Sequence, residues 1–113
     1  MKILAGYCSK MISVDLTEKR VSTKPIAGEV LHRFVGGSGM AARMLLEHID
    51  PERSPLSPEN RLYLATGPFT GTRIPSTGRH ALVSRSPLTG IFAESDVGGY
   101  FGTVLKQIRY GGI

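Results

Sequence analysis

The chain has no tryptophan and a single cysteine, Cys8, in 113 residues. One thiol forms neither an internal disulfide nor a cysteine-based metal centre within the chain. Its three histidines, His32, His48 and His80, stand at no ligand spacing, and nothing matches a zinc signature. No apolar run approaches the roughly 20 residues that cross a bilayer. The opening "MKILAGYCSKMI" has too short and too polar a core for a secretory leader. The expectation is a cytoplasmic protein with no membrane partner. Acids are also scarce, 9 against 14 lysines and arginines, for a net charge of +5. That balance favours anionic partners, phosphate ligands above all. The basic residues are dispersed and lack interleaved aromatics, which argues against nucleic acid.

What is present fits a globular unit: 41% hydrophobic and 20% charged residues. "MISVDL" alternates Ile12, Val14 and Leu16 with polar neighbours, the period of a half-buried strand. With the turn residues "TEKR" and the alternation resuming at Val21, it predicts a hairpin over about 7–25. "GEVLHRFVGG" reads as a short helix with Val30, Leu31 and Phe34 on one side, ended by Gly36 and Gly37. "GMAARMLLEHI" predicts a second helix with Met40, Ala41, Met44, Leu45 and His48 as its stripe. "PERSPLSPEN", with three prolines, is a surface loop. "RLYLATG", "HALVSRS" and "GIFAES" read as strands. "YFGTVLKQIRY" reads as a third helix, with Phe101, Val104, Leu105 and Ile108 inward.

Four features bear on chemistry. "PFTG" and "PLTG" match type I turn preferences, and flanking one strand they are expected to bring two loops to one end of a sheet. Arg79 stands at the mouth of a strand with Arg73 in the preceding loop; a guanidinium is a planar fork of donors suited to phosphate. "DVGGYFG" puts Gly98 and Gly99 just ahead of a helix, where free amides and close backbone approach suit an anion. "VGGSGMAA" only loosely resembles a dinucleotide fingerprint, because a helix rather than a strand precedes it. Glu94 and Asp96 share a strand face at the surface. No nucleophile–base pair is present, so no catalytic residue and no metal ligand is assigned. These segments are expected to converge on a shallow positive seat.

"SKMISVDLTEKRV", "FVGGSGMAARMLLEHI", "PLSPENRLYLATGPFTGT", "STGRHALVSRSPLTG" and "GGYFGTVLKQIRYGGI", in this order, resemble the amino-terminal region of the tungsten-containing aldehyde:ferredoxin oxidoreductases, nearly end to end. The resemblance implies an α+β fold, a largely antiparallel sheet platform with about three short helices. It makes residues 1–113 the truncated first part of the pterin-cofactor platform domain. It implies oxidation of an aldehyde to a carboxylic acid, with electrons passed through a 4Fe-4S cluster to ferredoxin. The metal, tungsten or molybdenum, is held by two pterins whose phosphates are bridged by magnesium. Arg79 matches the arginine that contacts the pterin, Gly98 a glycine whose backbone does so beside Gly99, and Asp96 a position whose main-chain carbonyl approaches the magnesium. Asp96 replaces the frequent asparagine, and Ser38 stands where the family commonly has arginine. Cluster cysteines, second pterin loop and substrate pocket are expected beyond residue 113, in the remainder of the enzyme. The segment alone is then inactive, and a homo-oligomer is compatible with its exposed surfaces. The alternative is a free-standing remnant that binds another anion or a partner protein without catalysis.

Overall fold

The computed structural model describes residues 5–113; Met1–Leu4, the start of the stretch read as too polar for a leader, lie outside the described residues. Two antiparallel strands, β1 (Lys10–Asp15) and β2 (Arg20–Pro25), form the expected hairpin, with Val14 opposite Val21. Asp15 closes its turn, its Oδ1 accepting from the amides of Thr17 and Glu18 at 3.0 Å. Two helices follow, α1 (Gly28–Phe34) and α2 (Gly37–His48). A three-stranded antiparallel sheet runs β3 (Leu62–Ala65), β4 (His80–Arg85) and β5 (Phe92–Val97), in that spatial order. Helix α3 (Phe101–Gln107) closes the sequence of elements. The fold is therefore α+β, as expected.

Period-two alternation decides the sheet's faces. Tyr63 opposes Val83 and Ala65 opposes Ala81, and all four are buried. This face packs on Met40, Ala41 and Leu45 of α2, with Ile26 and Leu31 completing the core. The segment Gly111–Ile113 fastens the two sheets together: Gly111 N donates to Lys10 O at 2.8 Å, Ile12 N to Gly112 O at 3.0 Å, and Leu64 N to Ile113 O at 2.9 Å. Both glycines are needed for that approach. A Cβ on Gly111 would lie 2.7 Å from Cys8 O, and one on Gly112 2.7 Å from Leu64 O.

Three expectations change. Helix α2 begins at Gly37, so "GGSG" starts a helix rather than ending one, and α1 stops at Phe34. On α2, His48 is exposed; it lies past Leu45, and its Nδ1 sits 2.8 Å from Met44 O. On α3 only Gly102 and Leu105 are buried, while Phe101, Val104 and Ile108 stay about half exposed. A seven-residue helix makes barely two turns, enough for one contact line and not for the whole apolar stripe. No helix among the described residues is long and apolar enough to cross a membrane.

Candidate functional site

The end of the sheet where β3 leaves, β4 enters and β5 finishes carries a cleft of about 300 Å³. Three segments wall it: Val35–Ser38 between α1 and α2, Gly67–Thr70 after β3, and Thr77 and Arg79 with Asp96 beyond. Asp96 pairs with Ala81, and Arg79 precedes His80, so both sit on the face of the sheet that meets α2. Arg79 makes no ion pair among the described residues, where the pairs are Arg33–Glu29, Arg43–Glu47 and Arg53–Asp50. Its backbone is fixed instead, its carbonyl accepting from Thr70 Oγ1 at 3.3 Å. Gly98 and Gly99 do not line the cleft but border it: a Cβ on Gly78, next to Arg79, would lie 2.8 Å from Gly99 O. Of the four sequence-predicted residues, Arg79 and Asp96 stand in one cleft, with the diglycine at its edge.

The expected pairing of the two threonine-glycine corners fails. "PFTG" is at the cleft, whereas "PLTG" joins β4 to β5 at the opposite end, beside the Arg85–Phe92 pair. The physical reason is the strand between them. Six extended residues hold their ends about 17 Å apart, so turns before and after one strand point in opposite directions. Glu94 and Asp96 do share a face, opposite Val83 and Ala81.

The sequence reading missed Val35–Ser38. It set "VGGSGMAA" aside as a dinucleotide fingerprint because a helix precedes it, and α1 does precede it. The segment nonetheless builds a cleft wall. Gly36 lies so close to the β3 exit that an added Cβ would meet Thr66 O at 3.0 Å and Gly67 Cα at 3.1 Å, and Gly37 N donates to Thr66 O at 3.0 Å. A diglycine between two helices was the available signal.

Electrostatically the cleft holds Arg79 against Asp96, with a further cation behind it. Lys106 Nζ donates to Gly67 O at 3.0 Å and also to Gly6 O. Burial holds its ammonium below the usual lysine range, the charge of Cys8 offsetting this in part. His80 also lines the cleft and is buried, its ring 4.9 Å from that of Phe101 and its Nδ1 without a partner among the described residues. Among those residues no cluster of acids, histidines and cysteine is placed to hold a metal ion through side chains. The arrangement is a cleft lined by Arg79, which makes no ion pair among the described residues, and by close-set backbone.

Residues 11–113 match the family model described as aldehyde ferredoxin oxidoreductase, N-terminal domain. The chain belongs to this family. It is 42% identical over 101 residues to the tungsten-containing aldehyde ferredoxin oxidoreductase of Pyrococcus abyssi, 89% of this chain and 17% of that protein. It is 40% identical over 108 residues to the enzyme of the same name from Pyrococcus furiosus, 96% of this chain and 18% of the other. Among solved structures it superposes on the active site complex BamBC of benzoyl coenzyme A reductase in complex with 1,5-dienoyl-CoA. There the TM-score is 0.93 at 30% identity, covering 96% of this chain and 17% of that one. The family segment thus spans about a sixth of its relatives' length and has the fold of the corresponding part of a larger enzyme.

Proposed function

We propose that this chain is the cofactor-platform segment of a tungsten- or molybdenum-dependent oxidoreductase that converts aldehydes to carboxylic acids with ferredoxin as electron acceptor. Residues 1–113 are on this reading the first part of the platform domain, and the remainder of the enzyme is their partner. The observation that carries the reading is the meeting of Arg79, Asp96 and glycine-rich backbone in one cleft, with Arg79 engaged in no ion pair among the described residues.

The residues present fit a phosphorylated pterin. A Cβ placed on Gly37, Gly98 or Gly99 would meet nothing within 4 Å, so the backbone there is open to a bulky ligand. Arg79 supplies a fork of donors matched to phosphate oxygens. Of the first-turn amides of α2, Gly37 N donates to Thr66 O and Met40 N to Gly36 O, which leaves those of Ser38 and Gly39 without an intrahelical acceptor. Asp96 offers its main-chain carbonyl, an oxygen of the kind magnesium takes. When bound, the bis-pterin metal supplies the two-electron exchange between aldehyde and acid. The chain's own part is to hold and orient the pterin, balance its charge and shield one side of it. A 4Fe-4S cluster needs ligands beyond the single Cys8, so in the proposed enzyme these come from outside this segment.

The test is Arg79→Ala in the full-length protein that carries this segment. Tungsten, molybdenum and pterin content per polypeptide should fall, while circular dichroism stays that of the parent. Undiminished metal and pterin content would overturn the assignment.

A further inference from the structure

The segments that wall the cleft differ in chemistry. Two of them contribute Val35, Pro68 and Phe69, and the third contributes Thr77, Arg79 and Asp96. The apolar three form one patch. A Cβ added to Gly36, next to Val35, would lie 3.4 Å from Pro68 Cδ, and Phe69 follows Pro68 in the chain. Val35 and Phe69 are 57% and 60% exposed, and neither belongs to the core. A single exposed apolar side chain is ordinary, whereas a contiguous set on a cleft marks a surface made for contact. Apolar area beside a few polar groups is what a small-molecule site presents: the first supplies contact and the second orientation.

Phe69 is also held in place. Its carbonyl accepts from Thr72 N at 3.1 Å and from Thr72 Oγ1 at 2.7 Å. The next residue, Thr70, is buried and donates through Oγ1 to Arg79 O at 3.3 Å. One hydrogen bond thus ties the backbone beside the phenyl ring to the backbone that bears the guanidinium. Arg79 and Asp96 bring one charge of each sign to the cleft, so charge alone draws a bare anion weakly. We propose that Phe69 is a specificity-determining residue: with Val35 and Pro68 it makes an apolar platform for the flat ring of a ligand whose phosphate goes to Arg79. The proposal rests on the phosphorylated-pterin reading of the cleft and adds that this segment recognises the ring as well as the phosphate. Contact between aromatic faces is favourable, and a platform set beforehand spares the ligand the cost of ordering it.

The experiment measures binding of neopterin monophosphate, a fluorescent phosphorylated pterin, and of inorganic phosphate as its displacer, by the full 113-residue chain. Phe69→Ala weakens neopterin monophosphate about tenfold, a loss in the range seen when a stacking aromatic is cut to alanine. It leaves inorganic phosphate within about twofold of wild type. Phe69→Tyr keeps the ring and binds both within about twofold. Leu88→Ala, at the same turn position on the far end of β4, is likewise within about twofold. Equal binding of neopterin monophosphate by wild type and Phe69→Ala overturns the platform alone, as does a loss in Phe69→Tyr or Leu88→Ala as large as that in Phe69→Ala. An equal weakening of inorganic phosphate by Phe69→Ala also overturns it, since the residue would then act by holding Arg79 and not by meeting the ring. Absence of neopterin monophosphate binding by wild type overturns instead the reading of the cleft on which the proposal stands.

Discussion

The chain writes nearly the same turn twice, "GPFTG" at Gly67–Gly71 and "SPLTG" at Ser86–Gly90, and the fold uses the copies for different ends. Locally they agree. The fifth residue of each is left-handed, Gly71 at φ 76 and Gly90 at φ 74. Their surroundings differ. Thr70 is 5% exposed, its Oγ1 accepting from Gly67 N at 3.0 Å and donating to Arg79 O, while a Cβ added to Gly71 would meet Thr103 on α3 at 3.5 Å. At the other end Leu88 is 94% exposed and Gly90 has open space around its α-carbon. A turn signature therefore specifies a bend. Whether the bend becomes a cleft wall or a solvent-facing corner depends on which end of β4 it occupies.

The second copy has a structural task of its own, and disturbing it should produce the largest effect. Arg85 donates through Nε to Gly90 O at 2.7 Å, through Nη1 to Arg53 O at 2.6 Å and Asp50 O at 3.3 Å, and through Nη2 to Pro51 O at 3.3 Å. One guanidinium thus ties the "PERSPLSPEN" loop to the β4–β5 corner, and Asn60 adds bonds from its Nδ2 to Pro55 O and Arg85 O. Bonds from a charged donor are worth more than neutral ones, discounted here because most of these acceptors face solvent. Arg85→Met should cost about 2 kcal/mol, seen as a fall in unfolding midpoint of about 10 °C. The cleft end should not notice, because separated sites act additively. Loss of phosphorylated-pterin binding in that variant would erase the distinction between the two ends.

A sharper contrast comes from matched substitutions in the two turns. Thr70→Val removes an acceptor and a donor from a buried site and should cost about 1–2 kcal/mol. Thr89→Val removes only an exposed bond, Ile91 N to Thr89 Oγ1 at 3.4 Å, and should stay within about 0.5 kcal/mol. Chemical denaturation of the two variants measures both. Equal losses would mean that the turns are energetically equivalent and that burial at Thr70 contributes nothing.

The strands, the hairpin and α2 were legible because alternation and helical periodicity are properties of a few neighbouring residues, and the buried set Met40, Ala41, Leu45, Tyr63 and Val83 follows from them. Arg79 was legible from its place at the mouth of a strand beside glycines, Asp96 as a site position only through family resemblance, and the structure adds that they share a cleft. The contribution of Val35–Ser38 was not legible, because it depends on Gly36 meeting Thr66 and Gly67, thirty residues away. Nor was the placement of "PLTG", since a turn's sequence says nothing about the direction from which it is approached. Local signals fix local geometry, and a site assembled from three segments is a non-local fact.

The smallest effect concerns the cation behind the first turn. Lys106 is the residue through which α3 holds Gly67, and burial lowers its folded-state pKa below the usual lysine value. Between that lowered value and about 10.5 the unfolded chain binds more protons than the folded one, so stability rises with pH across the window and levels off above it. The burial cost is thus fully present at neutral pH and relieved in alkali, the reverse of a lysine stabilised by a carboxylate. In Lys106→Met the term is absent, and subtracting its stability from that of wild type cancels the other titrating groups. That difference, followed by denaturant unfolding from pH 8 to 10.5, should shift in favour of wild type by a small fraction of the total stability. Parallel curves would show that Lys106 is solvated in the folded chain, and the "PFTG" turn would lose its claim to a drier setting than its twin.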